Sequence, residues 1–287
     1  MAKGLLVTNH FLNTAHFERL YALFAQAAEK MGLALSLVRG GDFARGFSDT
    51  PAADTDFVLF WDKDVPLARR LVRHGIPVFN SPDAIRICDS KAETAEALLR
   101  AGVPTPRTLC APLTYPSIGY ENTDFVKVAC QSLGLPLVIK EYFGSFGEQV
   151  YLVHSVSEAE ALVQSLQGRP FLFQEFIPSS YGRDVRVNVV GERAVCAMLR
   201  QGKTGDFRSN IAHGGSGSAY PLSPAEEAVA VAAVRAVGAD FAGVDLLFGE
   251  NGMLVCEVNS NPHFVGSYAA TGVNLAPCIL SHILQSI

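Results

Sequence analysis

The first eighty residues alternate short apolar runs with amphipathic ones, and this alternation restricts the fold more than any other feature of the chain. "GLLVT" and "LALSLV" read as strands, with "HFERLYALFAQAAEKMG" between them as a helix ending at Gly32. "DFVLFW", "PLARRLVRHG" and "IPVFN" repeat the pattern as strand, short helix and strand. Short apolar strands separated by amphipathic helices imply a parallel, doubly wound sheet. Ligands of such sheets collect beyond the carboxyl ends of the strands. Asn9 follows the first strand and Lys63 follows "DFVLFW", so both are candidate substrate contacts. Lys63 answers equally well to surface pairing with Asp62 or Asp64.

Beyond residue 80 the pattern changes. "SPDAIRICDSKAETAEALLRAGVP" reads as two helices, the first capped by Ser81 and the second beginning after Ser90 and closed by Gly102 and Pro104. "CAPLTYPSIGYENTDF" is loop-like. From about residue 125 helices and strands mix as α+β. A last lobe starts near 177, with strands "RDVRVNVVG", "RAVCAMLRQ", "FAGVDLLF" and "MLVCEVN" and helices at 224–238 and 272–286. With 287 residues, 49% of them hydrophobic, the chain exceeds one average domain, and two or three subdomains are expected.

The formal net charge of −5 gives no reason to expect a polyanionic partner, and no Lys/Arg run marks a nucleic-acid surface. Cys88, Cys110, Cys130, Cys196, Cys256 and Cys278 show no CxxC spacing and read as reduced, mostly buried thiols. The apolar run in "MAKGLLVTNHF" is too short for a signal peptide, and no segment reaches membrane-spanning length. Together these features predict a cytoplasmic protein without a membrane partner.

The chemistry concentrates near residue 250. In "GVDLLFGENGMLVCEVNSNP", Glu257 and Asn259 are two apart and point to one side of an extended strand, with Cys256 and Val258 on the other. A three-residue loop at 250–252, with Gly252 left-handed, would pair Gly249 with Met253 and set Asp245 against Glu257. A two-residue Asn-Gly turn would pair Asp245 with Val258 instead. Two carboxylates held that close call for a cation or a proton between them. Oxygen ligands without His or Cys suit Mg2+, which keeps waters and takes further ligands from phosphates. The competing reading is a solvated edge hairpin whose acids face water.

Upstream, "VIKEYFGSFGEQV" puts Lys140 at the end of an apolar strand, before a turn holding Gly144, Ser145 and Gly147. Backbone N–H groups in such a turn can cradle phosphate oxygens while the lysine offsets their charge, although a plain β-hairpin has the same signature. "FLFQEFIP" is an apolar strand interrupted by Glu175, either an edge strand or a connector whose backbone hydrogen-bonds a purine. "GRDVRVNVVG" alternates Asp184, Arg186 and Asn188 with three valines, a pattern that usually turns the polar face to solvent. Arg200 ends the next strand, and "GDFRSNIAHGG" places Arg208 and Asn210 in a Gly-flanked loop. The seven histidines read as structural or surface residues, with His263 the one worth testing.

Taken in order, "DSKAETAEALLRAGVPTP", "LPLVIKEYFGSFGEQV", "QEFI", "GRDVRVNVVGERAVCAMLR", "GDFRSNIAHGG", "GVDLLF" and "CEVNSNP" resemble the ATP-grasp carboxylate–amine ligases. Within them the resemblance is to the RimK-like glutamate ligases. It covers residues 80–265 and, more loosely, the N-terminal sheet. It implies an ATP-grasp fold, α/β and α+β in class. Residues 1–90 would form a Rossmann-like domain with a doubly wound parallel sheet. Residues 91–176 would form a central lobe with the Gly-rich phosphate loop, and 177–287 a C-terminal lobe with a Mg2+ site, the two lobes sandwiching ATP.

The resemblance also implies roles. Lys91 and Lys140 would contact the ATP phosphates, with the Gly144–Gly147 loop, Ser145 included, closing over them. Glu175, Phe176 and Ile177 would line the adenine, and Asp184 would meet the ribose or nearby polar groups. Arg208, Ser209 and Asn210 would help hold the phosphates, and Asp245, Glu257 and Asn259 would bind Mg2+ or Mn2+. Arg200, with Lys140, would serve catalysis by offsetting charge at an acyl phosphate. Arg186 and Asn261 join Asn9 and Lys63 as substrate candidates.

The implied reaction joins a small-molecule or peptide carboxylate to an amino acid, glutamate first, through an acyl phosphate, with ADP as coproduct. Another amino acid, a carrier or a dipeptide-type substrate is the alternative. Positioning and electrostatics dominate such chemistry. A nucleotide-gated binding protein without catalysis and a phosphotransferase are the rival classes. Similar ligases are commonly dimers or tetramers, and a homo-oligomer is compatible with this chain. It departs from the family's loop, Gly-Ser-x-Gly-x-Gly-Val, at Gln149, and Glu148 adds an acid there. "FWDKD" and "VTNHF" match only in character, so the substrate is not copied from the family.

Overall fold

The structure, a computed structural model, describes residues 2–43, 54–144, 147–209 and 214–287. Three sheets organise them. In the first, β1 (Lys3–Thr8), β2 (Ala34–Arg39), β3 (Phe57–Trp61) and β4 (Val78–Phe79) run parallel in the order β2-β1-β3-β4. The alternation of β3 feeds both faces. Phe57, Leu59 and Trp61 pack with Leu20 and Phe24 of α1 (Ala15–Lys30), and Val58 and Phe60 pack with Leu67 and Leu71 of α2 (Val65–Arg73).

The second sheet is antiparallel: β5 (Thr108–Cys110), β6 (Leu137–Glu141), β7 (Val150–Val153) and β8 (Phe171–Glu175), ordered β5-β8-β6-β7. One face receives α5 (Asp124–Leu133) and α6 (Val156–Ser165), where Val126, Ala129 and Val163 meet Leu137, Ile139, Phe171 and Phe173. The period of two turns Val138, Lys140 and Gln174 the other way, into a cavity.

The third sheet comprises β9 (Arg183–Val190), β10 (Arg193–Gln201), β11 (Ser216–Ala219), β12 (Phe241–Gly249) and β13 (Gly252–Asn259), in the order β11-β10-β9-β12-β13. Val185, Val187 and Val189 face Ala230 and Val234 of α7 (Pro224–Val237), whose start is fixed by a Ser223–Glu226 capping box. The same core takes Cys88 from α3 (Pro82–Asp89) and Leu98 from α4 (Lys91–Arg100). Ser81 and Ser90 cap these two helices as expected, accepting from the N–H groups of Ala84 and Glu93. β11 and the short α8 (Val265–Thr271) are not foreseen by periodicity, being four exposed residues and a seven-residue turn of helix. The last helix, α9 (Leu275–Ser286), returns to the first sheet and packs Ile279 and Ile283 into its core.

The β12–β13 hairpin differs from its expected form. Gly249 pairs with Gly252, not Met253, so the turn has two residues, Glu250 and Asn251. That register alone would set Asp245 against Cys256. A bulge intervenes: Leu246 pairs with Val255 and Asp245 with Glu257, leaving Cys256 as the extra residue. The expected opposition of the two acids therefore exists, produced by a bulge rather than by a longer loop.

One side chain bolts the sheets together. Asn80, fully buried after β4, donates to the carbonyls of Phe241 and Ser260 at 2.9 and 2.8 Å and accepts from the N–H groups of Asp240 and Phe241. The amide uses its full complement of donors and its acceptor on the two ends of the hairpin. Among the described residues no helix is long and apolar enough to cross a membrane. The six cysteines are free, but only Cys88 and Cys130 are fully buried and Cys110 is exposed.

Candidate active site

A cavity of about 790 Å³ opens where the three sheets meet, within the size range of small-molecule sites. Its floor is the polar face of β9, β10 and β12. Asp184 lies across from Arg200, and Arg186 across from Asp245. Arg200 Nε donates to Asp184 at 2.6 Å, and its Nη2 stands 3.0 Å from Asp245. Arg186 forks onto Asp245 through Nε and, at 2.8 Å, through Nη2. Of the polar face of "RDVRVNVV", a pattern that usually meets water, Asp184 and Arg186 line this cavity, and Asp184 and Asp245 are only 6% and 5% exposed. Gly243 makes the room: a Cβ there would lie 2.9 Å from Pro262 Cβ and 3.1 Å from Arg186 Cδ.

The two aspartates titrate in opposite directions. Burial penalises the charge of Asp245, but Arg186 and Arg200 outweigh it and hold the carboxyl below the ordinary range. Asp184 shares Arg200 with Asp245 and pairs with no second arginine among the described residues. Burial pushes its pKa up, against Arg200 and the Ser209 hydroxyl that donates to it.

Glu257 and Asn259 sit on the same face as Asp245. Asn259 Nδ2 donates to the Gly243 carbonyl at 3.3 Å, which commits the amide's nitrogen to the strand. Lys91 Nζ lies 3.8 Å from Glu257. Two carboxylates and an amide, without His or Cys, are the donor set of a hard cation that draws remaining ligands from water or phosphate. Among the described residues no group of three or more His, Cys, Asp or Glu is placed to hold a metal ion, so the candidate set rests on two carboxylates and amide oxygens. Asn261 adds a buried Oδ1 without a hydrogen-bond partner beside this set.

Cations line the same cavity. Lys140 is 8% exposed, and its Nζ donates to Cys256 Sγ at 3.3 Å. Burial pushes the Cys256 thiol up, with Lys140 opposing. Lys91 Nζ donates to the Gly144 carbonyl at 3.2 Å, and Arg208 Nη1 to the Gly147 carbonyl at 2.8 Å. Arg208 also pairs with Asp206. Gly144 has φ +148°, and a Cβ there would strike Gln149 Oε1, a buried acceptor without a partner. Gln149 thus lies against the glycine turn. Ser145 and Asn210 fall outside the described residues. Glu175, Phe176 and Ile177 line the cavity, but the Glu175 carboxylate turns to the Arg107 N–H and Nε at 2.8 and 2.9 Å.

The first sheet closes the remaining side. Asn9 and Lys63 both line the cavity. The Lys63 ammonium pairs with Asp89 at 2.5 Å, not with Asp62 or Asp64, the partners its position in sequence suggests. Asn9 Nδ2 donates to Asp62 at 3.0 Å. Asp62, 9% exposed, was not singled out from the sequence, although it ends the same strand one residue before Lys63. Burial lifts its pKa, against the Asn9 amide. His263 stacks on His16 with ring centroids 3.6 Å apart. Burial and then the neighbouring His16 lower its pKa to about 4.

The chain is similar to known proteins. A family profile described as a RimK-like ATP-grasp domain matches residues 88–283. A probable alpha-L-glutamate ligase from Alkalilimnicola ehrlichii is 38% identical over 206 residues, covering 71% of this chain and 66% of the relative. Beta-citrylglutamate synthase B from Danio rerio is 35% identical over 228 residues, 78% of this chain and 54% of that one. The chain thus spans from about half to two thirds of these curated relatives. Among solved structures, a RimK domain ATP-grasp protein from Sphaerobacter thermophilus superposes with a TM-score of 0.74 at 23% identity, covering 98% of this chain and 99% of its own. D-alanine–D-alanine ligase from Bacillus anthracis, complexed with ATP, gives 0.75 at 17% identity, with 99% and 97% covered, and so shares the fold. With its cation wall and acidic hairpin inside the matched segment, the chain belongs to the RimK-like ATP-grasp family.

Proposed function

We propose that this protein is an ATP-dependent, ADP-forming carboxylate–amine ligase that joins a small-molecule or peptide carboxylate to an amino acid, with glutamate the favoured amine. The observation that carries this reading is one cavity lined both by Lys91, Lys140 and Arg208 and by Asp245, Glu257 and Asn259. Segments 1–90, 91–176 and 177–287 serve as substrate, phosphate and metal lobes, with α3 and α4 lending packing to the third sheet and α9 to the first. The matched relatives named as glutamate ligases and as a citrylglutamate synthase support the same chemistry.

In the reaction, a substrate carboxylate oxygen attacks the γ-phosphorus of ATP. The new O–P bond gives an acyl phosphate as the bond to ADP breaks. The amine nitrogen then attacks the acyl carbon, inorganic phosphate leaves, and the nitrogen loses its proton. Lys140 and Lys91 offset phosphate charge, with Arg208, Ser209 and Asn210 assisting and the Gly144–Gly147 turn covering them. The Glu175–Ile177 backbone receives the adenine. Asp184 orients Arg200, which faces the developing charge, while Arg186 and Asn261 approach the substrate with Asn9 and Lys63. Asp245, Glu257 and Asn259 would hold Mg2+ or Mn2+, whose contribution is neutralisation and alignment of the phosphates. The site acts in the cytoplasm on small substrates, without nucleic acid or membrane, and a homo-oligomer is compatible with it.

The test is ADP release against panels of acids and amino acids, with product mass. A product weighing acid plus amine less water, formed with ADP, is the expected result. ATP binding without turnover in any combination would assign a nucleotide-gated binding protein, and a phosphorylated end product a phosphotransferase.

A further inference from the structure

Asp62 is the one acid on the first-sheet side of the cavity that the reaction leaves without a task. It stands just past the carboxyl end of β3, where ligands of parallel sheets collect. Both donors that reach it, Asn9 Nδ2 at 3.0 Å and the Lys63 N–H at 2.7 Å, go to Oδ1. Among the described residues no hydrogen bond reaches Oδ2, and that oxygen is not among the sealed, partnerless polar atoms. A buried carboxylate on a cavity-lining residue, with one oxygen satisfied and the other neither bonded nor sealed, is a fixed acceptor waiting for a donor.

The surroundings state which donor. The ammonium of Lys63 is committed to Asp89, and the guanidinium of Arg186 to Asp245. His263, across the cavity mouth, is held neutral by burial, so it brings no positive charge against an incoming cation. Trp61 and Phe17 supply aromatic wall on this side, a surface that favours cations over anions. Lys63 was the expected anchor for a substrate carboxylate, but the open charge here is negative.

We propose that Asp62 Oδ2 binds a protonated amine on the carboxylate substrate, so that the acid activated by this enzyme is an amino acid or a peptide with a free amino group. This rests on the ligase reading above. In this proposal the ammonium keeps its proton against Asp62 throughout and so has no lone pair to attack the acyl carbon, while the attacking amine gives up its proton elsewhere. It therefore belongs to the substrate that supplies the carboxyl group, not to the nucleophile. Asn9 fixes the rotamer of Asp62 and is a positioning residue.

Hydroxylamine replaces the amine in the experiment, so that any acyl phosphate is trapped as a hydroxamate whatever the natural nucleophile. The probes are matched acids: L-glutamate, N-acetyl-L-glutamate and glutarate, together with dipeptides and their N-acetyl forms. The parent enzyme should favour free-ammonium acids in kcat/KM by about thirtyfold or more, the usual consequence of leaving a buried charge unpaired. Asp62→Asn should erase that preference, chiefly through KM for the acid. Calorimetric affinity for a non-hydrolysable ATP analogue reports whether the variant is folded, and Asn9→Ser supplies a second, milder perturbation expected to lower the preference in part. Hydroxamate formation with equal use of free and N-acetylated acids, or a preference untouched in Asp62→Asn, overturns the ammonium site and leaves the ligase standing. ATP binding with no hydroxamate from any acid overturns the ligase reading, and the ammonium site with it.

Discussion

Asp245 lies directly across the ladder from Glu257, and the single extra residue Cys256 is what brings them level. The bulge also turns the Cys256 thiol toward Lys140, so one irregularity aligns the metal donors and touches the phosphate wall. Glu257→Gln keeps the shape of this strand and removes one charge from the donor set. Turnover should fall by at least about a hundredfold, on the scale of disturbed metal coordination, while the thermal midpoint changes little. Near-parental ADP release from the variant would remove Glu257 from the metal site.

Lys140 is a buried ammonium whose recorded partner is a thiol. A weak acceptor leaves most of its charge available to a phosphate. Lys140→Ala should weaken ATP binding by about tenfold or more, the loss of one charge-assisted hydrogen bond. Titration calorimetry with ATP and with a free acid separates the effects. Equal affinity for ATP in parent and variant would place the phosphates elsewhere.

Gly243 is required by its neighbours. An added Cβ would push Arg186 away from Asp245 or displace Pro262. Gly243→Ala should lower stability by about 1–3 kcal/mol, the usual cost of overpacking, and reduce kcat more than the KM for ATP. Chemical denaturation and steady-state kinetics read the two effects separately. A variant with parental kcat would show that Arg186 is not held in place by this contact.

His263 gives a pH dependence of defined sign. The unfolded chain takes up this proton near pH 6.5, whereas burial and His16 delay uptake in the folded state to about pH 4. Between those values the unfolded state binds more protons, so its contribution to stability is complete above pH 6.5 and is lost as pH falls toward 4. His263→Gln should flatten part of the acid-side decline in urea midpoint between pH 7 and pH 5. Parallel curves for variant and parent would show that His263 does not govern it.

The parallel sheet and the helix starts at Ser81 and Ser90 could be read from the sequence because each follows from spacing along a single strand or helix, whereas the phosphate roles of Lys91 and Arg208 entered only through the resemblance to a family. What could not be read depends on neighbours from elsewhere. "RDVRVNVV" has the same alternation whether its polar face meets water or a cavity, and only the second sheet above it decides. The hairpin register depends on a bulge at Cys256, a residue whose apolar character gives no sign of it. Lys63, between β3 and α2, finds Asp89, 26 residues away at the end of α3, in place of the acids beside it. Asn80 looks like any strand-end asparagine until Phe241 and Ser260 surround its amide.

The return of α9 to the first sheet has a consequence for how the protein is made. Leu20 and Phe24 of α1 share one core with Ile279 and Ile283 of α9, a much later part of the chain. The face of the N-terminal sheet that α1 covers therefore lacks its α9 share until the chain between β4, ending at Phe79, and α9, starting at Leu275, has been translated, at roughly 5–20 residues per second. For that interval part of this core stays open to solvent, and it closes only when a late segment returns to an early one.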